Sequence, residues 1–170
     1  MAALFRRILV PHDFSVHATA ALKVASELAA RHGGRLTVLH VLTPFYTGPG
    51  FPSREEIAWA PGPELLVGLR QQLEMLVDEA LGRGPRRPPV RCRVVTGDAM
   101  RAIVDAARRS DSIVMATVGR TGLAHLLLGS VAEKVVRHAP VPVLTIRPEV
   151  RRRRAAAPSR RRRGPRPARA

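Results

Sequence analysis

The sequence predicts an α/β fold class, a doubly wound five-stranded parallel sheet with helices on both faces. Two observations carry this. Five short apolar runs alternate along the chain with four segments of helical spacing, the pattern of repeated strand–helix–strand units. Runs such as "RLTVLHVL" and "DSIVMAT" are dense in branched and apolar residues, as suits strands covered on both faces. At 170 residues the chain is long enough for one domain with a proper core and too short for two of ordinary size.

The elements follow in order. "RRILVPH" reads as the first strand, and Ser15 to Arg31 as an amphipathic helix with Ala20, Val24 and Leu28 at helical spacing and "HGG" closing it. "RLTVLHVL" is the second strand. Pro44 to Gly62 is a loop punctuated by Pro and Gly that holds Tyr46 and Trp59. Pro63 to Arg83 carries Leu65, Leu69, Leu73, Leu76 and Leu81 on a second helix, and the breaker "GPRRPP" stops it. "VRCRVV" is the third strand, "GDAMRAIVDAARRS" the third helix and Ser112 to Thr117 the fourth strand. Ser130 to His138 is the fourth helix, stopped at a proline, and "VPVLTIR" is the fifth strand.

Charge is distributed unevenly. The formal net charge is +16, but Arg151 to Ala170 alone holds ten arginines and no acid, which leaves 19 basic against 13 acidic residues in the first 150. That tail has little apolar bulk beyond alanine, so burial cannot offset its ordering entropy. We expect residues 1–148 to form the domain and 149–170 a disordered arginine-rich tail. The single cysteine, Cys92, excludes an internal disulfide framework and, lying in a strand, suits a packed thiol in a reducing compartment. The N-terminus places its basic residues inside the apolar stretch rather than ahead of it, unlike a signal peptide. No run approaches the roughly 18 apolar residues of a membrane span. A cytoplasmic protein is expected.

In an open doubly wound sheet, ligands bind beyond the carboxyl ends of the strands, where strand order reverses. The first strand ends in Pro11, His12 and Asp13, and the fourth runs into "ATVGRTGLAHLLLGS". In that loop Gly119 and Gly122 permit close approach of backbone to a ligand, and Gly129 and Ser130 stand at a helix N-terminus, where free N–H groups favour an anion. Ser130 is either a hydroxyl donor or the helix N-cap. Asp13 has two readings of equal weight, a carboxylate that accepts from a ribose hydroxyl or an adenine amine or helps hold a metal, and a helix cap. There is no P-loop and no dinucleotide fingerprint. The histidines have no metal-like spacing, and no nucleophile–base constellation is visible, so no metal ligand and no catalytic residue is assigned.

"ILVPHDFS", "GGRLTVLHVL" and "IVMATVGRTGLAHLLLGSVAEKVVRHAPVPVLTIRP" closely resemble the universal stress protein family over Leu4 to Pro148. The resemblance implies the strand order 3-2-1-4-5, with strands one and four bordering the switch point. It also implies an adenine nucleotide, ATP or AMP, with Mg²⁺ where a triphosphate is bound, in a stress-response or regulatory role with at most slow ATP hydrolysis. Nucleotide-binding members carry G-x2-G-x9-G-[ST]; here Gly119, Gly129 and Ser130 match, while Ala116 stands at the first glycine and Val118 where a histidine is common. By the same resemblance Pro11 and Asp13 line the adenosine end and Val41 meets the base through its backbone. Gly119, Gly122, Gly129, Ser130 and Val131 surround ribose and phosphates, with the Ala116 methyl close to the ribose. The family commonly forms homodimers through strand five, here Val141 to Arg147. Two alternatives use the same chain differently: a nucleotide-free dimeric interaction protein, and non-specific nucleic-acid association through the arginine tail.

Overall fold

The computed structural model describes residues 2–43, 61–117 and 129–147. Five strands, β1 (Arg7–Pro11), β2 (Arg35–Leu42), β3 (Val90–Thr96), β4 (Ser112–Ala116) and β5 (Val143–Ile146), alternate with α1 (Val16–Arg31), α2 (Pro63–Leu81), α3 (Ala99–Ala107) and α4 (Ser130–His138). The sheet has the order β3-β2-β1-β4-β5 with all pairs parallel. The fold class and the strand order therefore stand as expected.

Alternation along β1 divides the core. Ile8 and Val10 pack with Leu36 and Val38 of β2 against α1 and α2, through Ala21, Leu22, Ala25, Leu73 and Val77. Leu9 points the other way and joins Leu39, Ile113 and Met115 against α3 and α4, through Ile103, Ala107 and Val135. This two-sided burial follows from topology. The chain winds from β1 outward through β2 to β3, then returns to β4 beside β1, and right-handed crossovers in the two directions put their helices on opposite faces. Fully buried alanines at 21, 25 and 29 let α1 lie close to the sheet.

The ends of the elements have local causes. Ser15 caps α1 by accepting from the Ala18 amide, and Asp98 caps α3 by accepting from Arg101. Gly34 lies where β1 and β2 begin: a Cβ there would sit 2.1 Å from the Phe5 carbonyl oxygen, so only glycine permits that approach. The second helix ends at Leu81 rather than Arg83, because Gly82 leaves the helix at φ 65°. Strand five is shorter than "VPVLTIR". Pro142 has no N–H to extend the ladder and contributes only its carbonyl, to the Ile113 amide. A 3₁₀ turn at Ala2–Phe5 was not expected from the sequence.

Cys92 is half-buried in β3, and burial, followed by Glu74 and Asp78, pushes its thiol up to about 11. It is a packed thiol rather than a reactive one. No described helix is long and apolar enough to cross a membrane. Tyr46, Trp59 and the arginine tail lie outside the described residues.

Candidate functional site

At the carboxyl end of the sheet β1 and β4 feed helices on opposite faces, and a cleft of about 300 Å³ opens between them. Its β1 side is built by a knotted turn. The His12 amide donates to the Leu39 carbonyl at 2.8 Å, the last rung towards β2. The chain then reverses through Phe14, whose φ of 65° is costly for a bulky aromatic residue. Hydrogen bonds hold it there. The Phe14 amide donates to His12 Nδ1 at 3.1 Å, and the Ser15 amide donates to Asp13 Oδ1 at 3.0 Å.

These bonds fix the state of His12. With Nδ1 accepting, the ring proton sits on Nε2, 3.3 Å from Thr19 Oγ1, and that hydroxyl donates onward to the Ser15 carbonyl at 3.1 Å. His12 is only 3% exposed. Its pKa is pushed down to about 4, chiefly by burial, with Asp13 pulling it up and His40 pushing it down. His40 Nδ1 donates to the His12 carbonyl at 2.8 Å, and the Phe14 ring meets the His40 ring edge-on at 4.6 Å. The turn is thus locked by a neutral imidazole.

Two of the open readings are decided by these contacts. Ser15 is the cap of α1, so Asp13 is not, and the Asp13 carboxylate braces the turn at the cleft wall. Ser130 is not the cap of α4: Gly129 occupies that position at φ −66° and ψ 151°, and Ser130 is the first helical residue, exposed. A glycine cap has no side chain to offer the first amides, and Ser130, already inside the helix, does not stand at the position from which a serine caps them.

The opposite wall comes from β4 and α4. The Thr117 amide donates to the Ile146 carbonyl at 3.0 Å, and the Thr117 carbonyl accepts from the Gly129 amide at 2.7 Å. The second bond clamps the first turn of α4 against the end of β4. The intrahelical ladder starts with Glu133 donating to the Gly129 carbonyl, so the amides of Ser130, Val131 and Ala132 precede it, and no side chain caps them. Beside them Thr117 is 6% exposed, and its Oγ1 is the only buried side-chain polar atom among the described residues without a hydrogen-bond partner.

Of the residues picked out in the sequence, Pro11, Asp13, Val41, Ala116, Gly129, Ser130 and Val131 line this one cleft. Val41 stands past Leu39, the last residue of β2 paired with β1, where β1 has already turned away. Gly119 and Gly122 lie outside the described residues. Thr117 and His12 line the cleft too, and neither was assigned a role from the sequence. Among the described residues no group of three or more His, Cys, Asp or Glu side chains could hold a metal ion.

A family model, that of the universal stress protein family, matches residues 4–147. The chain belongs to the universal stress protein family. A relative from Thermus aquaticus, the universal stress protein in the QAH/OAS sulfhydrylase 3' region, is 35% identical over 148 residues, covering 85% of this chain and all of the relative. The solved universal stress protein UspA from Lactobacillus plantarum is 29% identical with a TM-score of 0.62, covering 84% of this chain and 98% of that one. Two more distant structures share the fold. One is a universal stress protein in complex with cAMP, 22% identical with a TM-score of 0.57, covering 84% of this chain and 96% of its own. The other, from Arabidopsis thaliana with AMP bound, is 21% identical with a TM-score of 0.53, covering 85% and 92%.

Proposed function

We propose that this universal stress protein binds an adenine nucleotide, ATP or AMP, in the cleft between β1 and β4, and that occupancy serves a regulatory role. The observation that carries the reading is the Thr117 hydroxyl, buried beside the first amides of α4 and without a hydrogen-bond partner among the described residues. An unsatisfied buried hydroxyl costs about 1–3 kcal/mol, and a ligand oxygen placed there would remove that cost. Helix N-terminal amides attract an anion as well. Phosphate oxygens answer both features, and the family relatives holding cAMP and AMP supply the adenine.

In this reading Gly129, Ser130 and Val131 hold phosphate through their backbone, with Gly119 and Gly122 of the loop, while Pro11, Asp13 and Val41 flank the base and ribose. The Ala116 methyl stands beside the ribose. Mg²⁺ would enter with a triphosphate, bound through phosphate oxygens and water rather than by a protein cage. Both ring nitrogens of His12 are committed to the turn, so it positions Asp13 and does not activate water. The role assigned is binding, and occupancy acts by favouring one conformation over another. The domain is assigned to residues 1–148, with 149–170 a tail outside it. Homodimers form through β5, whose outer edge pairs with no other described strand and whose Leu144 is 39% exposed.

Ala116 favours a second reading, a nucleotide-free dimeric interaction protein, since its methyl replaces a glycine hydrogen where the ligand would pass. Calorimetric titration of ATP, AMP and cAMP into the full-length protein separates the two. Saturable binding of at least one supports the nucleotide reading. Absence of binding by all three up to about 1 mM, equivalent to an affinity weaker than about −4 kcal/mol, supports the other.

A further inference from the structure

The amino end of the sheet, opposite the cleft, carries a groove of about 920 Å³. Its charge is one-sided. Arg6 precedes β1, Arg35 opens β2, Arg86 and Arg87 precede β3, and Arg31 ends α1, while Glu27 is the only carboxylate among the lining residues. Two of these arginines have structural work. Arg31 reaches Glu27 at 3.8 Å, and Arg87 binds Asp78 at 2.6 Å and the Gly82 carbonyl at 3.1 Å. Arg6, Arg35 and Arg86 are exposed and take part in no ion pair among the described residues.

We propose that this groove is a docking surface for the phosphate backbone of a nucleic-acid duplex. The placement of the arginines argues for it. They come from the starts of three neighbouring strands, β1, β2 and β3, so they form a row across the sheet end rather than a stripe along one helix. The carbonyl end of α1 would oppose an anion there, but the amides of His32 and Gly34 donate to the Leu28 and Ala29 carbonyls and blunt it.

The chemistry selects a polymer. Exposed guanidinium groups hold a small anion weakly, because each exposed ion pair contributes about 0–1 kcal/mol. A duplex carries condensed counterions, and every phosphate neutralised releases one, so several exposed arginines acting together bind it measurably. An acidic peptide of mixed sequence carries fewer charges per unit length and releases fewer counterions. The arginines of the tail follow β5, whose carboxyl end lies at the far side of the sheet from this groove. The groove is therefore a contact surface separate from the point where the tail begins, and its contacts carry no base readout.

The test uses the full-length chain with its ten tail arginines changed to glutamine, and a short labelled duplex at low salt. Binding should persist and fall linearly with the logarithm of salt concentration. Adding Arg6→Gln, Arg35→Gln and Arg86→Gln should make that slope shallower by about 0.9 for each arginine that meets a phosphate, with the thermal melt unchanged. Conservative Arg→Lys replacements at the same three positions should restore most of the slope. The proposal is overturned if the tail-neutralised chain does not bind the duplex, or if the three groove substitutions leave the slope as it was. It is equally overturned if an acidic peptide of mixed sequence and the same length binds as tightly as the duplex at the same salt, since the occupant would then be an acidic protein.

Discussion

Thr117 and His12 show how much of the site is decided by single atoms. Thr117 spends both backbone groups on structure and leaves its hydroxyl over. Replacing it by valine keeps the shape and removes the unsatisfied oxygen, so the unliganded Thr117→Val protein should melt at the same temperature or higher. His12 makes a prediction in pH. Its folded pKa of about 4 lies below the ordinary 6.5, so between those values the unfolded chain binds more protons and folding loses stability as pH falls. The loss begins below about pH 6.5 and reaches roughly 3 kcal/mol by pH 4. Urea melts at pH 7.5 and 4.5 should therefore converge more closely for His12→Asn than for the wild type; equal pH dependence would show that His12 is not the titrating group. None of this is legible in the sequence. A threonine beside a glycine loop and a histidine among six acquire their states only from what the folded backbone leaves unpaired.

Elements were far more legible, because periodicity and caps are local. Ser15 and Asp98 begin helices as their residue types allow, and "SVAEKVVRH" forms α4 over the span its spacing predicts. The errors fall where tertiary contacts decide. Ser130 is a good N-cap by type, yet the clamp between the Gly129 amide and the Thr117 carbonyl sets the cap one residue earlier. Strand five loses its ends to proline chemistry. Gly34 looks like half of an ordinary "HGG" stop, whereas its lack of a side chain is what lets the starts of β1 and β2 approach. Gly34→Ala should accordingly destabilise by about 1–3 kcal/mol, as overpacking does, visible as a lower urea midpoint with unchanged slope; an unchanged midpoint would mean that the Phe5 carbonyl moves aside freely. The proposed β5 pairing predicts that Leu144→Lys shifts the sedimenting species from dimer to monomer. Sedimentation unchanged by that substitution would place the dimer contact elsewhere.

At the scale of the whole molecule, the parallel sheet has two ends of opposite character. At its carboxyl end, strand order reverses, two walls diverge, and the Thr117 hydroxyl lies at a cleft with no hydrogen-bond partner among the described residues. At its amino end, arginines collect instead. The tail holds ten of the arginines behind the net charge of +16, and the order of residues does not show that others, distant in sequence, meet at the starts of β1, β2 and β3. The central claim belongs to the carboxyl end, and titrating AMP and adenosine into the wild type and Thr117→Val tests it most directly. We predict that the wild type binds AMP, that the variant binds it at least about tenfold more weakly, as loss of a hydrogen bond to a charged group implies, and that adenosine affinity is the same in both. AMP bound equally well by the two proteins would remove Thr117 from the phosphate site, and a wild type that binds neither AMP nor ATP would contradict the nucleotide reading itself.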